Sequence, residues 1–242
     1  MISKSQIKLI TSLHQKKHRN NSGLFVAEGP KVIAELISEN LVLHSLFTTE
    51  KVNSSNENYY SISKEELQKI SFLKTANTSL ALFKIPESFA KNKNGITVAL
   101  DAVRDPGNLG TIIRLCDWFG VSQLVCSEDT VDCYNPKVIQ ATMGSIARVA
   151  IFYTSLNKYL KESSSPIFAA MMEGDIVYKS KLPNDAILLM GNEANGVSKE
   201  VLKLATHAIS IPQFGKGNPT ESLNVATATA ILLSEFKRFT ER

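Results

Sequence analysis

The sequence predicts an α/β protein in two parts: a small α/β unit at residues 1–92, and a larger unit at residues 93–242 built on a parallel sheet. Two observations predict it. From Gly95 onward apolar strand-like runs, "ITVALD", "QLVCSE" and "AILLMG" among them, alternate with helix-like ones, as strands covered on both faces do. Before that point the helix over 3–17 is one-sided, and "PESFAKNKNG" divides the two regions with the chemistry of a linker.

Taken in order, Ile7, Leu9, Ile10 and Leu13 recur among polar residues as on one face of a helix over 3–17. "GLFVAEG" is a short strand. "PKVIAELISEN" is a helix with Pro in its first turn, where the missing N–H leaves no bond unmade. "LVLHSLFTT" and "YYSIS" are strands separated by the polar loop "EKVNSSNEN". Ser63 and Glu66 have the spacing of a capping box, and "SLALFKI" closes the first unit as a strand. The second unit runs through "ITVALD", a helix to about Phe119, "QLVCSE", the helix "PKVIQATMG", the strand "ARVAIFY" and a helix near "LNKYLKE". The strands "IFAAMM" and "AILLMG", the helix "SKEVLKLA", the strand "AISIP" and a long helix from about Ser222 complete it. Ligands of such sheets sit beyond the carboxyl ends of the strands. That singles out the loops Val103–Asn108, Gly191–Gly196 and Pro212–Asn224.

With 43% hydrophobic and 21% charged residues among 242, the composition is that of a globular protein. No run approaches the ~18 consecutive apolar residues of a membrane span. The start, "MISKSQIKLI", is charged and lacks the apolar core of a signal peptide. A cytoplasmic address and no membrane partner are therefore expected. Cys116, Cys126 and Cys133 cannot all pair and form no C-x-x-C, which predicts reduced core thiols. His14, His18, His44 and His207 are scattered without ligand spacing, so no metal site is expected. A net charge of +4 permits a nucleic-acid partner without demanding one. The basic stretch "HQKKHRN" is, read alone, either a solvated helix end whose cations suit the dipole or a phosphate-binding patch.

Each of the three loops has two readings. In "DAVRDPGNLGTIIRLCDWFG", Pro106 and Gly107 suit the centre of a type II turn, and Asn108 suits the cap of the helix after it. Leu109, Ile112, Ile113 and Cys116 form an apolar stripe that Thr111, Leu115 and Trp118 widen. The helix is therefore expected to be covered on two sides, by the sheet and by a partner. Arg114 within it needs an anion, and either Asp117 at i+3 or a phosphate can supply one. In "LLMGNEANGV", Gly191 and Gly196 permit close backbone approach or positive φ beside Asn192, Glu193 and Asn195. This is not G-x-G-x-x-G, and "IPQFGKGNPTESLN" is not G-x-x-x-x-G-K-[ST], so neither NAD nor ATP is an expected ligand. There Ser222 suits a helix cap and Asn224 the first turn.

Together and in this order, "DPGNLGTIIR", "GNEANG" and "ISIPQFG…ESLNVATA" resemble the three motifs of the SpoU (TrmH-like) branch of the SPOUT RNA methyltransferases. "KKHRNNSGLFVAEGPKVIAELI" is similar to the start of that family's ribosomal-protein-like substrate-binding domain. The likeness covers nearly the whole chain. It implies a parallel-sheet methyltransferase domain whose C-terminal segment threads a deep trefoil knot, a topology periodicity does not reveal. It also implies a homodimer through that domain, in keeping with the apolar helix that carries Trp118.

The resemblance further implies S-adenosyl-L-methionine as cofactor and a ribose 2′-hydroxyl of structured RNA as acceptor, ribosomal RNA ahead of transfer RNA. Lys16, Lys17, His18 and Arg19 would contact that RNA. Carried over position by position, Met190, Gly191, Asn192, Gly196, Ile211 and Leu223 meet the cofactor. Asn108, Arg114, Glu193, Ser222 and Asn224 match the family's polar catalytic positions. Methyl transfer from a sulfonium is an in-line displacement that gains most from placement. Family proposals have the arginine take the hydroxyl proton, yet a guanidinium with a pKa above ~12 is a poor base. Arg114 is instead read as holding the neighbouring phosphate and orienting the hydroxyl, with Glu193, Ser222 and Asn224 framing the ribose and the methionine.

Two departures from the family pattern stand out. The third motif is longer between Pro212 and Ser222, at the rim over the cofactor or the RNA, and Ala226 stands where a serine often comes after "SLNV". The alternative readings are a base methyltransferase of the wider superfamily and an RNA-binding assembly factor without catalysis. The joint presence of Asn108, Arg114, Glu193, Ser222 and Asn224 argues against the second. The modified nucleoside, ribose or base, separates the first.

Overall fold

The computed structural model describes residues 1–51, 57–87, 94–121, 123–215 and 222–238. Parts of the polar loop after Thr49, of the linker before Gly95 and of the longer stretch between Pro212 and Ser222 lie outside the described residues.

Two helices open the chain, α1 (Lys4–Ser12) and α2 (Lys16–Ser22), where the pattern over 3–17 predicts one. The break falls at Gln15, whose backbone is extended (φ −96°, ψ 133°). It frees the carbonyls of Leu13 and His14, and Arg19 Nη1 donates to both, at 2.6 and 2.9 Å. Next come β1 (Leu24–Glu28), α3 (Pro30–Ser38), β2 (Leu43–Thr48), β3 (Tyr59–Ser61), α4 (Lys64–Ile70) and β4 (Ser79–Lys84). Pro30 opens α3, and the Ser63–Glu66 capping box closes the first turn of α4, both as the sequence predicts. The strands form one sheet in the order β1-β4-β2-β3, with β4 antiparallel to β1 and β2. Ile10, Leu13, Phe47, Leu67, Ile70, Leu80 and Leu82 make its core.

The chain continues with β5 (Ile96–Leu100), α5 (Pro106–Trp118), β6 (Gln123–Cys126), α6 (Pro136–Thr142), β7 (Ala150–Tyr153) and α7 (Leu156–Lys161). It ends with β8 (Ile167–Ile176), β9 (Ala186–Met190), α8 (Lys199–Leu202), β10 (His207–Ser210) and α9 (Val225–Lys237). β5 to β10 form a six-stranded sheet in the order β10-β8-β9-β5-β6-β7, and every neighbouring pair is parallel. The unbroken apolar runs are its central strands: all residues of β5 and β9 are buried.

Compactness divides the chain into residues 1–89 with 132–147, and residues 90–131 with 148–242. The strand–helix rhythm of the sequence places "PKVIQATMG" with the second region. In the structure α6 packs on β1 of the first unit, and the ring of nearby Tyr134 lies 5.0 Å from that of Phe25.

The same segment corrects one expectation about RNA contacts. Arg19 is only 2% exposed, and its Nε donates to Asp132 Oδ2 at 2.9 Å while Nη2 completes the ion pair. A guanidinium so enclosed is not available to a phosphate. Lys16, Lys17 and His18 do face solvent on α2.

Among the described residues no helix is long and apolar enough to cross a membrane, and no group of His, Cys, Asp or Glu could hold a metal ion. The three cysteines are buried, none in a disulfide, and burial pushes the Cys116 thiol pKa well up.

Glu28, at the end of β1, is a buried carboxylate whose oxygens accept from Ser71 Oγ at 2.5 Å and from the Phe72 N–H at 2.7 Å. Burial raises its pKa, against the lowering by those two hydrogen bonds. A carboxyl whose folded pKa lies above its unfolded value favours folding most when protonated. Stability is therefore highest below the unfolded pKa of about 4.3 and falls as pH rises through the folded one. Glu28→Gln keeps an acceptor for Phe72 and is expected to flatten this dependence in denaturant unfolding measured from about pH 4 to pH 8. Glu28→Ala strands both donors and should cost about 1–3 kcal/mol at either end of the range.

Candidate active site

The carboxyl ends of β5 and β9 carry the first two loops, and the parallel register sets them side by side. Leu100 pairs with Met190, and the Asp101 N–H donates to the Met190 carbonyl at 2.9 Å. The loop after β5 is fixed at almost every residue. Asp101 Oδ2 accepts from the Ser198 N–H at 2.7 Å. Ala102, with φ +56°, donates its N–H to Ser127 Oγ at 2.8 Å, and its carbonyl accepts from Asn192 Nδ2 at 2.7 Å. Val103 is fully buried.

Asp105 is the N-cap of α5. Its Oδ1 accepts from the Asn108 N–H at 2.8 Å, and Pro106 takes the first helical position. The sequence reading gives that cap to Asn108, one turn too late. With the cap filled by Asp105, the Asn108 side chain is released for other work: Nδ2 donates to Glu193 Oε1 at 2.9 Å, and Oδ1 accepts from Asn224 Nδ2 at 2.8 Å. One side chain thus ties the three loops together.

The second loop folds tightly on itself. Asn192 and Gly196 exchange backbone hydrogen bonds at 2.9 and 2.8 Å, and Asn192 Oδ1 accepts from the N–H groups of Ala194 and Asn195. Gly196 has φ +65°. A Cβ on Gly191 would fall 2.1 Å from the Gly196 carbonyl carbon and 2.2 Å from the Val197 nitrogen, so only glycine fits. In the third loop Asn224, not Ser222, caps α9: its Oδ1 accepts from the N–H groups of Ala226 and Thr227 at 3.0 and 3.2 Å. Its amide therefore serves the helix with one end and Asn108 with the other.

The remaining expected residues take other places. Met190 is buried at the end of β9, and Ile211 is half-buried where the chain leaves β10. Ser222 and Leu223 are exposed beside Asn224. Arg114 does not join the Asn108 chain. It is exposed on α5, and at about 100° per residue it shares one face with Thr111 and Trp118, the latter 84% exposed. Its alternative partner is engaged elsewhere: Asp117 accepts from Arg148 Nε at 3.0 Å and Nη2 at 2.8 Å. Arg114 has no ion pair among the described residues. The buried stripe of Leu109, Ile112, Ile113 and Cys116 is as predicted, but Trp118 is uncovered within one chain.

Two contributors were not singled out from sequence. Asp105 had a signal, since an acidic residue directly before a helix-opening proline is a cap. Asp101, which anchors the Ser198 turn from the end of β5, had none.

Comparison with known proteins bears on this geometry. The model of the SpoU rRNA Methylase family matches residues 95–234, and that of the MRM3-like substrate binding domain matches residues 4–81. A Bacillus subtilis 23S rRNA (guanosine(2553)-2′-O)-methyltransferase is 26% identical over 91% of both chains. A Porphyromonas gingivalis structure of the TrmH family superposes with a TM-score of 0.87 at 35% identity, over 98% of this chain and 99% of that one. An rRNA methyltransferase from Sinorhizobium meliloti, solved with S-adenosylmethionine bound, superposes with a TM-score of 0.86 at 27% identity, over 100% of this chain and 98% of that one. The three loops that Asn108 joins all lie within the matched region, and the chain belongs to the SpoU rRNA methylase family.

Proposed function

We propose that this chain transfers the methyl group of S-adenosylmethionine to a ribose 2′-hydroxyl in ribosomal RNA. The observation that carries the reading is the Glu193–Asn108–Asn224 chain, which closes three loops on one another at the carboxyl edge of a parallel sheet. The family membership and the S-adenosylmethionine-bound relative support the cofactor. The B. subtilis relative supports the ribose of ribosomal RNA as acceptor.

The residues present fit such a cofactor. At residues 211–215 and 222–224 the backbone is in neither helix nor strand, so it offers N–H and C=O edges to an adenine, and Leu223 offers an exposed apolar side chain. Met190, Gly191, Asn192, Gly196, Ile211 and Leu223 would hold it. S-adenosylmethionine supplies an electrophilic methyl on a sulfonium. The chain's own task is placement: Glu193 and Asn224, held by Asn108, frame the acceptor ribose together with Ser222. Arg114, with no carboxylate partner among the described residues, grips the adjoining phosphate and orients the hydroxyl.

Residues 1–92 would recruit the RNA through Lys16, Lys17 and His18, and residues 93–242 would carry the transfer. The uncovered face of α5, with Trp118 and Arg114 side by side, favours a homodimer through that domain. The crossed strand order and the return of α9 onto α5 agree with a C-terminal trefoil knot. A cytoplasmic place of work accords with the bacterial rRNA methyltransferase relative. The test is to incubate ribosomal RNA with methyl-labelled S-adenosylmethionine and identify the labelled nucleoside by mass spectrometry. A 2′-O-methyl nucleoside is expected; label confined to a base, or no label, overturns the proposal.

A further inference from the structure

A groove of about 480 Å³ opens along β8 and β10, lined by Phe168, Asp175, Lys179, Lys181, His207 and Ile209. It includes none of the residues assigned above to the cofactor or the acceptor ribose. Its shape comes from an irregularity in the sheet. Ala208 pairs with Ala169, but the next residue, Ile209, pairs with Asp175, so β8 spends residues 170–174 outside the ladder. The chain returns at Gly174, packed so closely on the Ala208–Ile209 backbone that a Cβ would lie 2.8 Å from it.

Three features of the lining point to one ligand chemistry. First, the His207 ring lies flat on Phe168, centroids 4.4 Å apart and planes 10° apart, and Phe236 meets Phe168 edge-on at 5.3 Å. His207 Nδ1 is paired with Thr206 Oγ1 at 2.8 Å, which fixes the ring, and His207 is exposed. One face of this fixed ring is covered by Phe168, and exposed His207 itself lines the groove. Second, Lys179 and Lys181 are exposed, and neither has an ion pair among the described residues. Third, the turn that presents them is fixed. Val177 is buried, Ser180 bonds back to Ile176 and Val177, and Ser210 Oγ donates to the Gly174 carbonyl at 2.9 Å. An aromatic platform beside two unneutralised cations is the arrangement that holds an unpaired nucleotide, base on ring and phosphate on ammonium. Asp175 adds an acceptor for a base amino group. The volume suits it, since small-ligand sites run from ~300 to ~1,000 Å³.

We propose that this groove is a second RNA site, which holds one unpaired nucleotide other than the one methylated: its base stacks on His207, and its phosphate lies between Lys179 and Lys181. The proposal rests on the reading of the chain as an RNA enzyme, but its test is independent of transfer. The full chain is titrated with a fluorescent single-stranded RNA hexamer by anisotropy at several salt concentrations. The double variant Lys179→Ala, Lys181→Ala is expected to bind more weakly, with the slope of log affinity against log salt reduced by about 0.7, the value for one phosphate on a single strand. His207→Ala should weaken binding about fivefold or more with the slope unchanged, and His207→Phe should restore it. S-adenosylmethionine affinity, measured by calorimetry, should be the same in all variants, which shows that they are folded. Wild-type affinity and slope in the lysine double variant overturn the site. Weakening by the lysine change but not by His207→Ala overturns the stacked base and leaves an anion site only. A wild-type chain that shows all these dependences yet transfers no methyl group contradicts the proposed function and not the groove.

Discussion

Arg114→Ala is expected to lower methyl transfer by about 10²–10³-fold, the range seen when one preorganised donor is removed from a reacting centre. S-adenosylmethionine affinity should stay nearly unchanged, because Arg114 stands apart from the loops assigned to the cofactor. Arg114→Lys should recover little, since a point charge cannot reproduce a planar fork on phosphate and hydroxyl. Asp117→Ala is the control. With its carboxylate given to Arg148, its loss should cost stability by no more than about 1 kcal/mol, as for a partly exposed pair, and leave transfer close to wild type. Single-turnover rates with calorimetry on the three variants read all of this. Equal losses from Arg114→Ala and Asp117→Ala would show that Arg114 acts only through the helix surface.

Gly191→Ala should strike the other half of the site. Its methyl group would occupy the place of the Gly196 carbonyl and the Val197 nitrogen, both backbone, so the Asn192–Gly196 loop must move as a whole. That displaces Asn192 from Ala102 and Glu193 from Asn108. A loss of S-adenosylmethionine affinity of at least tenfold, about 1.4 kcal/mol, is expected in calorimetry. Overpacking should also lower unfolding stability by about 1–3 kcal/mol. Affinity within experimental error of wild type would mean that the loop does not meet the cofactor.

How much of this molecule is legible in its sequence depends on the range of the interactions concerned. The Ser63–Glu66 box, Pro30 at the start of α3 and the buried strands β5 and β9 are written in neighbouring residues, and reading them needs no tertiary information. The three loops are legible as a set because their order and composition match a family pattern. Arg19 shows the limit. Its basic neighbours predict a surface cation, but its partner Asp132 is 113 positions away, and only the folded chain brings the two together. Asn108 is similar: its partners Glu193 and Asn224 lie 85 and 116 positions on, so local chemistry offers it nothing better than a cap. α6 keeps to the strand–helix rhythm of the second region, yet packs on β1, because rhythm predicts what an element is and not which sheet it covers.

The central claim is that the acceptor is a ribose hydroxyl. Once labelled transfer has located the modified nucleotide, the most direct measurement is transfer to the same RNA carrying a 2′-deoxy nucleotide at that one position. The account predicts no methyl group at that position, with the all-ribose RNA modified in parallel and both RNAs bound with similar affinity. Methylation of the deoxy RNA at that nucleotide would contradict it, and would place the chemistry on a base.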